Sequence, residues 1–507
     1  MIRNLIANYV GTIWVTLIQL AVLPVYIKVL GIEAYGLIGV HATLTALAAL
    51  TDLGISPALN REVARLSVSP DTESEIRPFF RSLEIVYWLL AVACVVAGTV
   101  FLAKPVSDWI NPQNLSKLDV TFIVRLMLLQ IGLQMVIGFY TGGLLGLQRH
   151  VLYNGINIAG ITVRCAGAIA LLLWVSPALD SLFYWLIAST AAQASVMAII
   201  LSRALPEGPS QFQFQYVKRI WRYATGVSGI VILSLILMQI DKIILSRSLP
   251  LAEFGYYAMA TTIAITLSKP AGPLSRTLLP RMTQLAAQHD ENGLTRLYHQ
   301  GAQLASLLVF PTTAVLVAFS SKIMLLGLGD PETARAVAPL VSLLAAGYAG
   351  LTLMYIPYNL TLAYGWVRFA FYQQLVACTI MVPLTFLFVK SYGAIGGGVA
   401  WLTLTSGYVV FSLYFLHRRL LPGAYLSWYT RDTLPAAIVA AGSVEGFRRI
   451  ICFRQGWWGD VGLVMIVLAV AFGLTALTLE HVREQAWRLV RAIRLRMLNR
   501  SKGFTNG

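Results

Sequence analysis

The sequence predicts an all-α polytopic membrane protein of about fourteen transmembrane helices, and three observations carry that expectation. Apolar residues make up 57% of the 507-residue chain and charged residues only 12%, against roughly a quarter charged in a soluble domain. The apolar residues fall in runs of about 20, the length that crosses the hydrocarbon of a bilayer. The Lys and Arg behind the formal charge of +16 lie in short segments between those runs, a pattern of membrane topology rather than of a nucleic-acid surface. A soluble chain of this size would need several domains, and no polar linker long enough to separate them occurs.

Candidate spans begin near Asn8, Gly36, Leu83, Phe122, Val151 and Leu179. After the polar stretch 203–222 they resume near Tyr223, Phe254, Ala302, Leu340, Phe369 and Gly396. A weaker run at 433–447 and a strong one at 457–479 complete the set. The expected organisation is a six-helix bundle over 1–205, a second over 206–420, and two extra helices with a basic tail over 421–507. The first run lacks a small-residue cleavage site and reads as a retained span rather than a signal peptide. Four cysteines, Cys94, Cys165, Cys378 and Cys452, show no metal-ligand spacing and read as small core hydrophobes.

With the N-terminus inside, the basic clusters Arg61, Arg65, Arg77 and Arg81, then Arg203, Lys218, Arg219 and Arg222, then Arg281 and Arg296, then Arg418, Arg419 and Arg431 fall on one side. The positive-inside rule makes that side cytoplasmic and places both termini there. Arg448, Arg449 and Arg454 break the pattern and mark the thirteenth span as the least regular. In the tail, Trp487, Val490, Ile493 and Met497 alternate with arginines; this fits either an interfacial helix on anionic lipid or a solvated basic terminus.

The segment Leu30-Gly31-Ile32-Glu33-Ala34-Tyr35-Gly36 recurs as Leu249-Pro250-Leu251-Ala252-Glu253-Phe254-Gly255, about 219 residues on. Six spans separate the copies, so the halves would share orientation and be related by a pseudo-two-fold axis around a central cavity. These turns, together with Asp52-Leu53-Gly54-Ile55, Asn60-Arg61-Glu62, Asp241-Lys242-Ile243-Ile244-Leu245 and Gly255-Tyr256-Tyr257, resemble polysaccharide exporters. More narrowly, they resemble the Wzx-type O-antigen flippases of the multidrug/oligosaccharidyl-lipid/polysaccharide exporter superfamily. The resemblance implies a bacterial inner-membrane flippase that moves an undecaprenyl-pyrophosphate-linked oligosaccharide from the cytoplasmic to the periplasmic leaflet by alternating access. It further implies a polysaccharide polymerase and a chain-length regulator as partners, membrane lipids around it, and no nucleic acid.

A glycosylated pyrophosphate cannot cross bare hydrocarbon, because each unpartnered polar group would cost several kcal/mol. The pathway should therefore be polar and cationic. Stripes of such residues occur at helical spacing: Asn8, Thr12, Gln19 and Tyr26; His41, Thr45, Asp52 and Ser56; Asn154, Asn157 and Arg164; Gln239 and Lys242; Thr262, Thr266, Lys269 and Arg276; Tyr348, Thr352, Tyr355 and Asn359. Pro270 and Pro273 should bend the fifth of these.

Within these stripes, Arg164, Lys269, Arg276, Arg125, Lys242, Asn154, Asn157, Gln19, Tyr355 and Asn359 are the candidate substrate-binding residues. Intramembrane cations are the sharpest signals, since insertion at mid-helix costs roughly 2.5–3.5 kcal/mol. Arg125 lies near a span end, where it can snorkel. Asp52, Asp241 and His41 are the candidate ion-coupling residues, with a proton or sodium gradient as the drive. Asp52 could instead pair with Arg61 or Arg65. Asp241 and Lys242, being adjacent, should point to different sides of a helix and not neutralise each other.

No cofactor or metal is expected. No phosphate-cradling GxxxxGK[ST] loop, DxD site or paired-carboxylate centre occurs, which argues against an enzyme such as an O-antigen polymerase or ligase. A cation or drug antiporter should favour buried carboxylates, whereas these stripes are rich in Arg, Lys, Asn, Gln and Tyr. A lipid II flippase would share a cationic lumen and remains the closest alternative. Gly396-Gly397-Gly398 reads as close helix packing.

Overall fold

The computed structural model describes residues 2–52, 54–68, 70–207, 211–451 and 456–484; the basic tail beyond 484, Cys452 and Arg454 lie outside the described residues. Among the described residues the regular structure is helical, with one isolated bridge between Asn111 and Pro250. In chain order the principal helices are α1 (Ile2–Leu30), α2 (Ile32–Ala48), α3 (Ile55–Leu66), α4 (Ile76–Ala97), α5 (Lys117–Gly146), α6 (His150–Trp174), α7 (Leu179–Ala204), α8 (Phe214–Ser248), α9 (Leu251–Ala264) and α10 (Ala271–Ala287). There follow α11 (Glu291–Ala318), α12 (Ser320–Leu328), α13 (Pro331–Leu353), α14 (Tyr355–Ala363), α15 (Val367–Tyr392), α16 (Ala394–Gly407), α17 (Leu413–Leu420), α18 (Leu434–Ile450) and α19 (Gly456–Thr478).

Twelve helices among the described residues are long and apolar enough to cross a membrane. The two expected spans missing from that set have identifiable reasons. The eighth is divided into α9, a 3-10 turn Ile265–Ser268 and α10. Pro270 supplies no N–H and crowds the preceding turn, so the helix restarts after it. The thirteenth, α18, has only 17 residues and follows a π-helical segment, Trp428–Thr433, that carries Arg431 and Asp432. Large apolar side chains such as Leu89, Phe101, Phe386 and Leu387 are exposed along the spans. In water such a surface would aggregate; in a bilayer it is the face toward solvent.

Contacts group the chain into two units, Met1–Met259 with Gln374–Gly397, and Ala260–Gln373 with Gly398–Gly507. In the first, Phe79, Phe80, Tyr87, Met135, Phe139, Tyr140 and Met197 form a buried cluster contributed by α4, α5 and α7. The α15 helix joins this unit along α8, where Gln374 donates to Ser234 Oγ at 3.1 Å and the Cys378 thiol to Leu233 O at 3.4 Å. In the second unit, Val315, Phe319, Val444, Val467 and Ala471 form a core between α11, α18 and α19. Lys322 and Asp460, paired at 2.6 Å, and the Trp457 indole bonded to Leu326 O at 2.8 Å fasten α19 to α12 and its end.

The repeated turns meet within the first unit. A Cβ on Gly36 would lie 2.4 Å from Leu251 O, and a Cβ on Gly255 would lie 2.5 Å from Ile32 O. Since Ile32 is the counterpart of Leu251 and Gly36 of Gly255, each contact is the image of the other, as two copies about a local two-fold axis require. The equivalent pair Gly39 and Ala258 also abut, a Cβ on Gly39 falling 2.6 Å from that of Ala258. Only glycine lets the backbones approach this closely, which gives the aromatic-Gly ending of both turns its physical reason.

Candidate functional site

Arg164 sits in the middle of α6, and its surroundings form a polar cluster within the first unit. Its Nη2 donates to Gln193 Oε1 on α7 at 2.7 Å and its Nη1 to Gln134 Oε1 on α5 at 3.4 Å, while its Nε is buried without a partner. Among the described residues no carboxylate pairs with it. One turn before Gln134, Gln130 bonds the His41 imidazole at 2.7 Å and donates to Thr190 Oγ1 at 3.1 Å. Thr190 and Gln193 are themselves one turn apart on α7, so the His41 and Arg164 bonds lie on adjoining turns of the same two helices. Tyr26 of α1 lies close enough to feel the Arg164 charge.

The backbone lets this cluster pack closely. Gly160, one turn before Arg164, faces Gln193 so closely that a Cβ would lie 2.5 Å from its Cδ. The Trp185 indole donates to Arg164 O at 2.9 Å, locking α6 to α7 beside the guanidinium. The arrangement is a fixed cation held by neutral amide oxygens, with a neighbouring imidazole: electrostatically an anion site, with carbonyl and hydroxyl groups suited to sugar hydroxyls.

The structure divides the remaining sequence candidates. Asn154 is buried, donates to His150 O at 2.8 Å and packs on Gly11 of α1, so it belongs to the α1–α6 contact rather than to the Arg164 cluster. Asn157 is half-buried, and Gln19 and Arg125 are exposed.

In the second unit, Asn359 is held on both atoms by Ser275, accepting from its hydroxyl at 3.0 Å and donating to its carbonyl at 2.7 Å. Tyr355 lies by the Ser268–Thr352 pair, whose hydroxyls are 2.7 Å apart. Lys269, at the helix break, is half-buried, whereas Arg276, within α10, is exposed. These two cations therefore stand on different segments instead of one continuous stripe.

The expectation that Asp241 and Lys242 cannot neutralise each other is corrected. Lys242 Nζ folds back to Asp241 Oδ1 at 3.0 Å and to Met238 O at 2.8 Å, and Asp241 Oδ2 also accepts from the Tyr257 hydroxyl at 2.6 Å. Side chains about 100° apart on a helix can still meet when one has a four-carbon stem, and the loss of hydration at a site 2% exposed favours the pairing. Asp52 likewise does not engage Arg65, which bonds Glu62 at 2.8 Å. Its Oδ1 accepts from Ser56 Oγ at 2.6 Å and Tyr87 Oη at 2.7 Å, so it caps the start of α3 and ties it to α4.

Sequence reasoning did not single out Gln130, Gln134 and Gln193. The available signal was a set of glutamines inside apolar runs, one pair at i, i+4 spacing.

Comparison with known proteins follows the same lines. The sequence profile of the family described as polysaccharide biosynthesis protein matches residues 1–286. A Shigella flexneri protein assigned as an O-antigen transporter is 20% identical over 406 residues, covering 79% of this chain and 94% of that protein. Among solved structures, the lipid II flippase MurJ in an inward closed conformation superposes with a TM-score of 0.71 at 12% identity, covering 93% of this chain and 98% of MurJ. An inward-facing multidrug resistance MATE family transporter of the MOP superfamily superposes with a TM-score of 0.64 at 13% identity, over 80% of this chain and 94% of that one. The fold is thus that of MOP-type transporters.

Proposed function

Because the chain belongs to the polysaccharide biosynthesis protein family, we propose that it is a flippase for an undecaprenyl-pyrophosphate-linked oligosaccharide, an O-antigen or related repeat unit. In this reading it carries the headgroup from the cytoplasmic to the periplasmic leaflet by alternating access. The observation that carries the reading is the Arg164 guanidinium, placed within an apolar span and bonded, among the described residues, only to glutamine oxygens. A cation in such a place is costly to hold, and no described carboxylate is paired with it, which supports an anionic cargo as its partner. The Gln130, Gln134, Gln193 and Thr190 side chains supply the exchangeable hydrogen bonds that a sugar demands on passage.

A second reading, transport of lipid II, is favoured by the MurJ superposition and would use the same residues. An antiporter for organic cations fits poorly, since its cargo would meet a fixed positive charge. The reading also leaves the coupling gradient to His41, the candidate ion-coupling residue that joins the Arg164 cluster through Gln130.

The test is leaflet accessibility of fluorescent polyprenyl-pyrophosphate glycans in proteoliposomes, with undecaprenyl-linked oligosaccharide and lipid II assayed side by side under imposed proton and sodium gradients. Protein-dependent movement of the oligosaccharide carrier that Arg164→Ala weakens is the expected result. Movement of lipid II alone selects the second reading. Movement of neither above empty liposomes defeats both.

A further inference from the structure

A cavity of the second unit, about 940 Å3, shares no lining residue with the cluster around Arg164. Its wall is built from the start of α11, the turn between α14 and α15 and the end of α17. That volume falls in the range of small-ligand sites. Two side chains in it are held in place by groups that leave their binding atoms free. The Arg419 guanidinium lies over the Trp366 ring, 4.4 Å from its centroid, and Trp366 is stacked in turn on Phe369 at 4.4 Å. Among the described residues Arg419 has no carboxylate partner, so its planar fork of N–H donors is oriented but unused. His299 turns its Nδ1 to the fully buried Asp432, whose other oxygen accepts from Gln303 Nε2 at 3.0 Å. That contact fixes the imidazole and leaves Nε2 as its free ring nitrogen at the cavity wall.

A fixed guanidinium fork with an oriented imidazole is the chemistry that recognises a phosphate monoester or diester. The same wall carries the hydroxyls of Thr295 and Ser427 and the Glu291 carboxylate. The carboxylate would repel bare phosphate but accepts well from sugar or glycerol hydroxyls. We infer that this cavity binds a hydroxyl-bearing phosphate ester, a glycosyl phosphate or a polyol phosphate headgroup, through residues other than those around Arg164. The inference does not rest on the flippase reading, because it concerns binding and not movement.

The probe is glucose 1-phosphate, with the full chain in phosphatidylcholine nanodiscs and broadening of its phosphorus resonance as the readout. Saturable broadening is expected, displaced by excess unlabelled ester and not by glucose. Arg419→Ala should weaken it at least about tenfold, the equivalent of losing one charge-assisted bond. Arg419→Lys should weaken it too, because charge without the fork is insufficient. Ser427→Ala, a change too small to endanger folding, should weaken it less. Phosphatidylglycerol nanodiscs distinguish the sources: suppressed probe binding identifies a lipid headgroup as the resident ester, and undiminished binding identifies a water-side one. Absence of saturable binding, or binding unchanged in Arg419→Ala and Ser427→Ala protein that remains monodisperse, overturns the inference. A protein that binds the probe but moves no glycolipid would defeat the flippase reading and leave this one standing.

Discussion

Replacing Arg164 by Met separates a structural cation from a functional one, because the two roles predict opposite balances of stability and activity. The guanidinium makes one short bond, to Gln193 at 2.7 Å, and one at the outer limit, to Gln134 at 3.4 Å, with Nε unpartnered. A charge-assisted bond contributes about 1.5–3 kcal/mol, and holding Arg at mid-span costs roughly 2.5–3.5 kcal/mol. These terms nearly cancel. Methionine has similar length, suits the apolar surroundings and leaves two glutamine oxygens that can turn to each other's amides. The expected stability change is therefore within about 1 kcal/mol, a melting shift of at most about 2–4 °C in detergent.

Transport behaves differently. An anion held by both arms of the fork loses two charge-assisted bonds, at least about 3 kcal/mol, so flipping of the pyrophosphate carrier should fall by roughly a hundredfold. Arg164→Lys should lie between, since it keeps the charge and loses the fork. The measurements are a thermal melt and a leaflet-accessibility rate normalised to folded protein. A melt lowered by about 3 kcal/mol with an unchanged rate per folded molecule would refute the argument and make Arg164 a structural residue.

Gly160→Ala should push the Gln193 amide from the guanidinium, costing about 1–3 kcal/mol, and its effect on transport should be less than additive with Arg164→Met in a double-mutant cycle. Gly36→Ala and Gly255→Ala place a methyl against equivalent backbone oxygens and should lower the melting temperature by similar amounts, each about 1–3 kcal/mol; a large inequality would contradict the local two-fold relation. Asp241→Asn leaves the Lys242 ammonium facing a neutral partner and should destabilise by about 3–5 kcal/mol, read in the same melt. Asp52→Asn keeps an oxygen for the Ser56 N–H but removes the charge from the Ser56 and Tyr87 hydroxyl bonds, so it should cost about 1 kcal/mol and leave the proton and sodium dependence of transport unaltered; a changed ion dependence would restore Asp52 as a coupling residue.

What the sequence revealed and what it hid have a common physical cause. Spans were legible because hydropathy is a property of consecutive residues, and the turn ending in aromatic-Gly was legible because it occurs twice. The reciprocal packing of Gly36 on Leu251 and Gly255 on Ile32 could be anticipated only as a repeat, since a sequence shows that two segments are alike and not that they touch. Arg164 stood out because a cation in an apolar run needs an explanation whatever surrounds it. Its glutamine partners did not, being polar residues that any helix interface can absorb. The carboxylates were the hardest to place, because beside any near neighbour such as Lys242 or Arg81 each has a partner from a later or earlier element: Tyr87 for Asp52, Tyr257 for Asp241, Tyr140 for Glu84 and His299 for Asp432. Each of these acids meets a phenol or an imidazole, whereas Arg164 meets only neutral oxygens. An intramembrane charge is thus a reliable pointer to a special residue, but its role follows from whether the fold completes its partners. Where the acids have such partners and the cation has only neutral oxygens, an anion from outside the chain is the partner that the Arg164→Met measurements test for.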